Sequence, residues 1–125
     1  MFLFISYNVK KNDYGYEYVL DEKFEISSTL DETTYLSPIK TVSGITDNFF
    51  VKLTVSPTTK EWLITFLKNF KKKYADGNRQ CNIWVFDKDT PIEQMNVQSD
   101  YFEKNLLAEW PIGVKEEELD GFVKL

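Results

Sequence analysis

The chain has 125 residues, of which 15 are basic and 20 are acidic, and its formal net charge is −5 at pH 7. It contains no histidine and a single cysteine, Cys81. Histidine titrates close to neutral pH and is the commonest metal ligand, so its absence excludes Ser-His-Asp and Cys-His catalytic groups and histidine-ligated zinc. A lone cysteine excludes an internal disulfide framework, and the apolar neighbours of Cys81 predict a small buried residue.

The composition predicts one α+β domain over residues 1–125. Apolar residues make up 42% of the chain, which is enough for a core, and strand-forming residues outnumber alanine. We expect a mixed, twisted sheet of about four to six strands with one main helix. No apolar stretch approaches the roughly 20 residues of a membrane span, and residues 1–5 are too short for a signal sequence. A soluble cytoplasmic protein is therefore predicted.

The amino-terminal segment predicts a β-hairpin. Residues 2–9 and 16–20 are rich in strand formers, and residues 10–15 are typical of a turn. Residues 24–26 extend the second strand or form a short third one. Residues 27–48 show no clear period, so we expect a long loop in which short strands could lie.

A parallel pair of strands is predicted in the middle of the chain. Residues 49–55 alternate in their second half, with Val51, Leu53 and Val55 on one face, and residues 81–86 form another apolar run. The segment between the two runs has the pattern of a helix. A strand, a helix and a strand at this spacing form a βαβ unit, whose strands run parallel in nearly all cases.

The connecting helix is predicted over residues 58–75. Thr58 and Glu61 match a capping box, in which a hydroxyl and a carboxylate satisfy free amides at a helix start, and Gly77 follows the helix end. The apolar residues fall within an arc of roughly 140°, which is typical of an amphipathic helix packed on a sheet. They are Trp62, Leu63, Phe66, Leu67, Phe70 and Tyr74.

A second helix is predicted near residues 99–110. Asp100 resembles a cap, apolar residues follow at helical spacing, and Pro111 would end the helix. Residues 115–121 look like a helical turn, and residues 122–125 could add a last edge strand.

The βαβ unit predicts a ligand site, because sites in parallel sheets lie beyond the carboxyl ends of the strands. Hydroxyls at the helix start would offer an anion site, and two carboxylates would hold a cation such as Mg²⁺. The competing interpretation is ordinary helix capping and turn formation. The residues concerned are Ser56, Thr58, Thr59, Asp87 and Asp89.

Two surface features suggest a macromolecular partner. Residues 87–125 carry ten acidic and four basic side chains, so Glu116, Glu117 and Glu118 could face a basic partner, or could simply favour solubility. Tyr16 and Tyr18 point to one face of their strand and could line an interface, or could cover the sheet. Lys68, Lys71 and Lys72 fit a solvated helix face better than a phosphate site.

No motif supplies recognisable catalytic chemistry. Ser37–Lys40 matches the SxxK spacing but contains Pro38 and lacks partner motifs, and the glycines are too dispersed for a phosphate loop. We expect no cofactor and no metal. We also expect no direct nucleic-acid binding, because positive charge is not clustered. The sequence favours a non-enzymatic protein that binds an unidentified protein partner, as an accessory factor or an inhibitor. The alternative is a small ligand-binding or metal-dependent enzyme at the βαβ rim.

Overall fold

The computed structural model describes residues 9–11, 17–19 and 30–125, and these contain six strands and one α-helix. Three short 3-10 helices lie between or after them, at Glu32–Thr34, Ile92–Gln94 and Glu116–Phe122. The strands and the helix are β1 (Val9–Lys11), β2 (Glu17–Val19), β3 (Ile39–Ser43), β4 (Thr46–Lys52), α1 (Lys60–Tyr74), β5 (Gln80–Phe86) and β6 (Leu106–Trp110).

The central sheet has four strands in the order β3-β4-β5-β6. β4 and β5 are parallel and are joined through α1, whereas β3 and β6 are antiparallel to their neighbours. The α+β class, the mixed sheet and the parallel βαβ unit are therefore confirmed. Among the described helices, none has the length and apolar character that crossing a membrane requires.

α1 forms where the sequence predicts it, and its N-terminal cap lies one residue later than predicted. The hydroxyl of Thr59, rather than that of Thr58, accepts a hydrogen bond from the amide of Trp62 at 3.1 Å. At the other end, the Ala75 amide donates to the Lys71 carbonyl. The four buried residues of the helix follow the predicted apolar face: Leu63, Phe66, Leu67 and Phe70.

The main core lies between α1 and one face of the sheet. β4 contributes Phe49 and Val51, and Leu53 continues the same face just beyond the strand. Val55 was predicted on this face but is exposed, because β4 ends at Lys52 and the chain leaves the sheet. Cys81 is buried at the start of β5, as predicted, and burial raises the pKa of its thiol.

The predicted helix near 99–110 is wrong. Residues 106–110 form β6, which pairs with β5, and a series of turns precedes it. The apolar residues recur at a spacing that resembles a helix because some of them pack on one face of the sheet and the others on the opposite face. Ala108 and Trp110 face the α1 core, whereas Phe102 and Leu106 pack beside Phe86 on the opposite face.

The segment predicted as a loop over residues 27–48 contains β3 and the start of β4. These strands meet in a two-residue turn, Gly44 and Ile45, and Gly44 has a φ of 61°. Tight hairpin turns need a positive φ at this first position, which glycine adopts without strain.

The two ends of the described chain match the predictions in part. β1 and β2 pair antiparallel, which confirms the hairpin, although Lys10 and Lys11 belong to the strand instead of the turn. Residues 1–8, 12–16 and 20–29 lie outside the described residues, so the rest of the predicted hairpin, the predicted segment 24–26 and the start of the predicted loop fall there. At the other end, the predicted helical turn is the 3-10 helix Glu116–Phe122, and Val123 forms a single antiparallel bridge with Ala108.

Candidate partner-binding surface

The predicted rim residues lie after β4 and β5, and the described contacts of their side chains are local. Thr59 caps α1, and the Asp87 carboxylate accepts the amide of Asp89 at 3.2 Å. Ser56 and Thr58 are exposed. Within the described residues, no group of three acidic or cysteine side chains could hold a metal ion.

A groove of about 380 Å³ borders the start of α1, and Thr59 is the one rim residue in its lining. Asp31 and Glu61 also line it, so the groove carries carboxylates where the sequence suggested an anion site. Asp31 is engaged locally, since the Thr33 hydroxyl and amide both donate to its carboxylate and lower its pKa. The structure therefore does not combine the hydroxyls and the rim carboxylates in this groove.

The predicted acidic surface forms part of the 3-10 helix Glu116–Phe122. The side chains of Glu116, Glu117 and Glu118 are exposed, and the Glu118 carboxylate accepts the amide of Lys115 at 2.8 Å. Tyr18 belongs to β2, where it pairs with Lys10, and Tyr16 lies outside the described residues.

A second groove, of about 630 Å³, contains the three lysines that the sequence singled out on α1. The Lys71 ammonium lies 4.1 Å from the centre of the Trp110 ring, in a cation–π contact. Lys71 and Lys72 also lie in the last turn of α1, where positive charge stabilises the negative end of the helix dipole. These contacts give both lysines a structural role.

The outer side of β3 is a surface that the sequence analysis did not identify. All five residues of β3 are exposed, and in the described part of the chain no strand pairs with the side facing away from β4. We call this side, together with the four apolar residues along it, the open edge. These residues and their exposed fractions are Leu36 (47%), Ile39 (39%), Val42 (59%) and Ile45 (63%).

Along the open edge, backbone hydrogen-bonding groups at defined positions of β3 face no other strand among the described residues. Ser43 and Thr46 close the two-residue turn, and the closing pair of such a hairpin is hydrogen-bonded. Hydrogen-bonded and non-hydrogen-bonded pairs alternate along an antiparallel ladder. The amide and carbonyl groups of Lys40 and Val42 therefore point away from β4.

Polar contacts hold the turn end of the open edge in place. The Arg79 guanidinium donates to the buried Asp47 carboxylate and to the Gly44 carbonyl, both at 2.9 Å. Lys40 lies 3.7 Å from the same carboxylate. The strand is therefore fixed where it turns, although its own side chains are exposed.

The other end of the open edge is anchored by an aromatic contact. Tyr35 forms an antiparallel bridge with Leu53, and its hydroxyl lies 2.8 Å from the hydroxyl of Tyr74 on α1. Burial, reinforced by the hydrogen bond with Tyr74, raises the pKa of Tyr35 to about 12. Both ends of the open edge are therefore held by contacts with the rest of the domain.

One sequence signal could have identified this surface. Gly44 lies between two runs rich in β-branched residues, which is the pattern of a hairpin turn.

Comparisons of the chain with protein-family models, with curated proteins and with solved structures gave no match.

Proposed function

We propose that the protein is not an enzyme and acts by binding a protein partner along the open edge. The observation that carries this proposal concerns the described residues. Backbone groups of β3 that face no neighbouring strand coincide with four exposed apolar side chains, two on β3 and two flanking it. An accessory factor or an inhibitor would use such a surface to cover a complementary segment of its target.

The physics of sheet edges supports a protein as the partner. An extended peptide that adds to an edge strand gains main-chain hydrogen bonds, while its alternate side chains contact the residues on either side of the strand. Soluble proteins normally protect an edge with charge, proline or a covering segment. On β3, Lys40 is the one charged residue, and its ammonium already faces Asp47.

The test compares two double variants of the full chain. Val42→Lys with Ile45→Lys places two charges on the open edge, and Val97→Lys with Ile92→Lys makes the same chemical change elsewhere. The control residues are matched, because Val97 and Ile92 are each 60% exposed, against 59% and 63% at the edge.

The measurement is affinity capture from the native host followed by quantification of co-purified proteins. We expect the wild type and the control variant to retain the same stoichiometric partner, and the edge variant to lose at least nine-tenths of it. Equal capture by the edge variant would place the interaction on another surface. Circular dichroism spectra establish that both variants are folded.

A further inference from the structure

We infer that the open edges of two copies pair with each other, antiparallel and around a two-fold axis at Thr41. The role of this dimer rests on the proposed function, because the protein partner and the second copy would compete for the same edge. The dimer would then be the stored form of the protein, and its dissociation would expose the binding surface.

The backbone of β3 is self-complementary in this register. With Thr41 opposite Thr41 of the second copy, Lys40 lies opposite Val42 of the second copy, and the reverse. These two residues carry the outward amide and carbonyl groups, so each of the two pairs exchanges two hydrogen bonds. Thr41, whose backbone groups face β4, forms the non-hydrogen-bonded pair at the centre.

The side chains fit the same register. Lys40 faces an apolar Val42 and Ile39 faces Ser43, so no like charges are opposed, and the two threonines at the axis form a favourable cross-strand pair. Shifting the axis to Lys40 would bring two ammonium groups directly opposite each other. Only Asp47 lies within ion-pair distance of Lys40 in the described residues. Arg79 shares this carboxylate, so one positive charge of the two side chains stays uncompensated in each copy.

The small area of the interface between the two β3 strands limits the affinity of the dimer. Five strand residues and a few apolar neighbours form an interface at the low end of the range for specific complexes. Such a dimer dissociates on dilution, which is what competition with a partner requires. We therefore expect a reversible equilibrium that depends on protein concentration.

Sedimentation equilibrium of the purified chain tests the association. The weight-average mass is expected to rise with concentration from 14.7 kDa towards twice that value. Val42→Pro removes one outward amide and leaves the β3–β4 hydrogen bonds intact, so it is expected to weaken association at least tenfold. A mass that stays at 14.7 kDa up to about 1 mM protein would overturn the inference.

Engineered cysteines test the register without relying on the proline variant. Opposite residues in a non-hydrogen-bonded pair lie about 4.5 Å apart, which suits a disulfide, so Thr41→Cys is expected to form a disulfide-linked dimer with oxidised glutathione. Ser43→Cys is the matched control, because in this register its thiol faces Ile39 and not itself. The wild type controls for Cys81, which is buried.

The outcomes separate this inference from the proposed function. Equal cross-linking of the two cysteine variants, or of neither, would contradict the two-fold register at Thr41. Loss of partner capture in the edge variant together with a strictly monomeric wild type would refute the dimer and retain the proposed function. Dimerisation of the wild type with unchanged partner capture in the edge variant would refute the proposed function and retain the dimer.

Discussion

The two edges of the central sheet differ sharply in how they are covered. Along β6 every second residue is buried, Ala108 forms a bridge with Val123, and the Lys124 amide donates to the Leu107 carbonyl at 2.8 Å. The 3-10 helix Glu116–Phe122 adds the fully buried Leu119 beside this edge. Along β3 no residue is buried.

In the part of the chain that the structure describes, one edge of the sheet is protected and the other is not. The residues that follow β6 contribute the Val123 bridge, the Lys124 hydrogen bond and the buried Leu119 to this edge. In the described residues, the corresponding groups of β3 have no such cover. We attribute this difference between the two edges to the binding role proposed for β3.

The largest expected effect concerns the covered edge. Leu119→Ala leaves a cavity beneath the 3-10 helix, and we expect it to lower the free energy of unfolding by about 3 kcal/mol. Val42→Ala on β3 is the matched truncation of an exposed residue, and it should change this free energy by less than about 0.5 kcal/mol. Urea unfolding at low protein concentration measures both; equal losses would mean that β3 is covered as well.

A smaller effect is expected when the pH is raised through the titration of Tyr35, which anchors the open edge. We expect the free energy of unfolding to fall by about 2 kcal/mol. The pKa of Tyr35 is about 12 in the folded protein and about 10 in the unfolded chain. The unfolded state therefore loses this proton first. The contribution of Tyr35 to the free energy of unfolding is complete below pH 10 and declines as the pH rises towards 12.

Comparison with Tyr35→Phe isolates this titration, because the lysines ionise in both proteins. The wild type is expected to lose stability more steeply between pH 10 and pH 12 than the variant does. Parallel losses in urea unfolding over this range would show that the Tyr35 hydroxyl is not protected in the folded state.

The smallest effect concerns the turn that leads out of the open edge. Gly44→Ala places a side chain at a φ of 61° with no neighbour within 4 Å, so the cost is that of the backbone alone, about 1 kcal/mol. Gly77→Ala also meets open space, but without a positive φ, and is expected to be close to neutral. Thermal unfolding of both variants checks this difference; equal melting temperatures would contradict it.

The sequence predicted the elements that have one apolar face and missed those that do not. α1 was predicted because its apolar residues recur at helical spacing behind a hydroxyl cap, and the parallel strands followed from its position between two apolar runs. β3 has no buried face, so its residues carry no alternation that could distinguish a strand from a loop. Alternation therefore gave no sign of the candidate surface, and the signal that remained was the turn glycine Gly44 between two β-branched runs.

The error at residues 99–110 has a different physical cause. Ala108 and Trp110 alternate as a strand should, on the α1 side of the sheet. Leu107 is an extra residue that packs on the same side, so Leu106 lies on the opposite face. An irregularity in the β5–β6 pairing between Val85 and Phe86 accommodates this change of face. A bulge of this kind depends on the partner strand, and a local pattern does not contain that information.

The covered β6 edge also limits how far copies of this chain can stack. A sheet with two free sides adds molecules at both and grows into a fibre. In the proposed pair, each outer side is a β6 strand beside which Val123 and Lys124 already lie, so we expect no third molecule to add to this sheet.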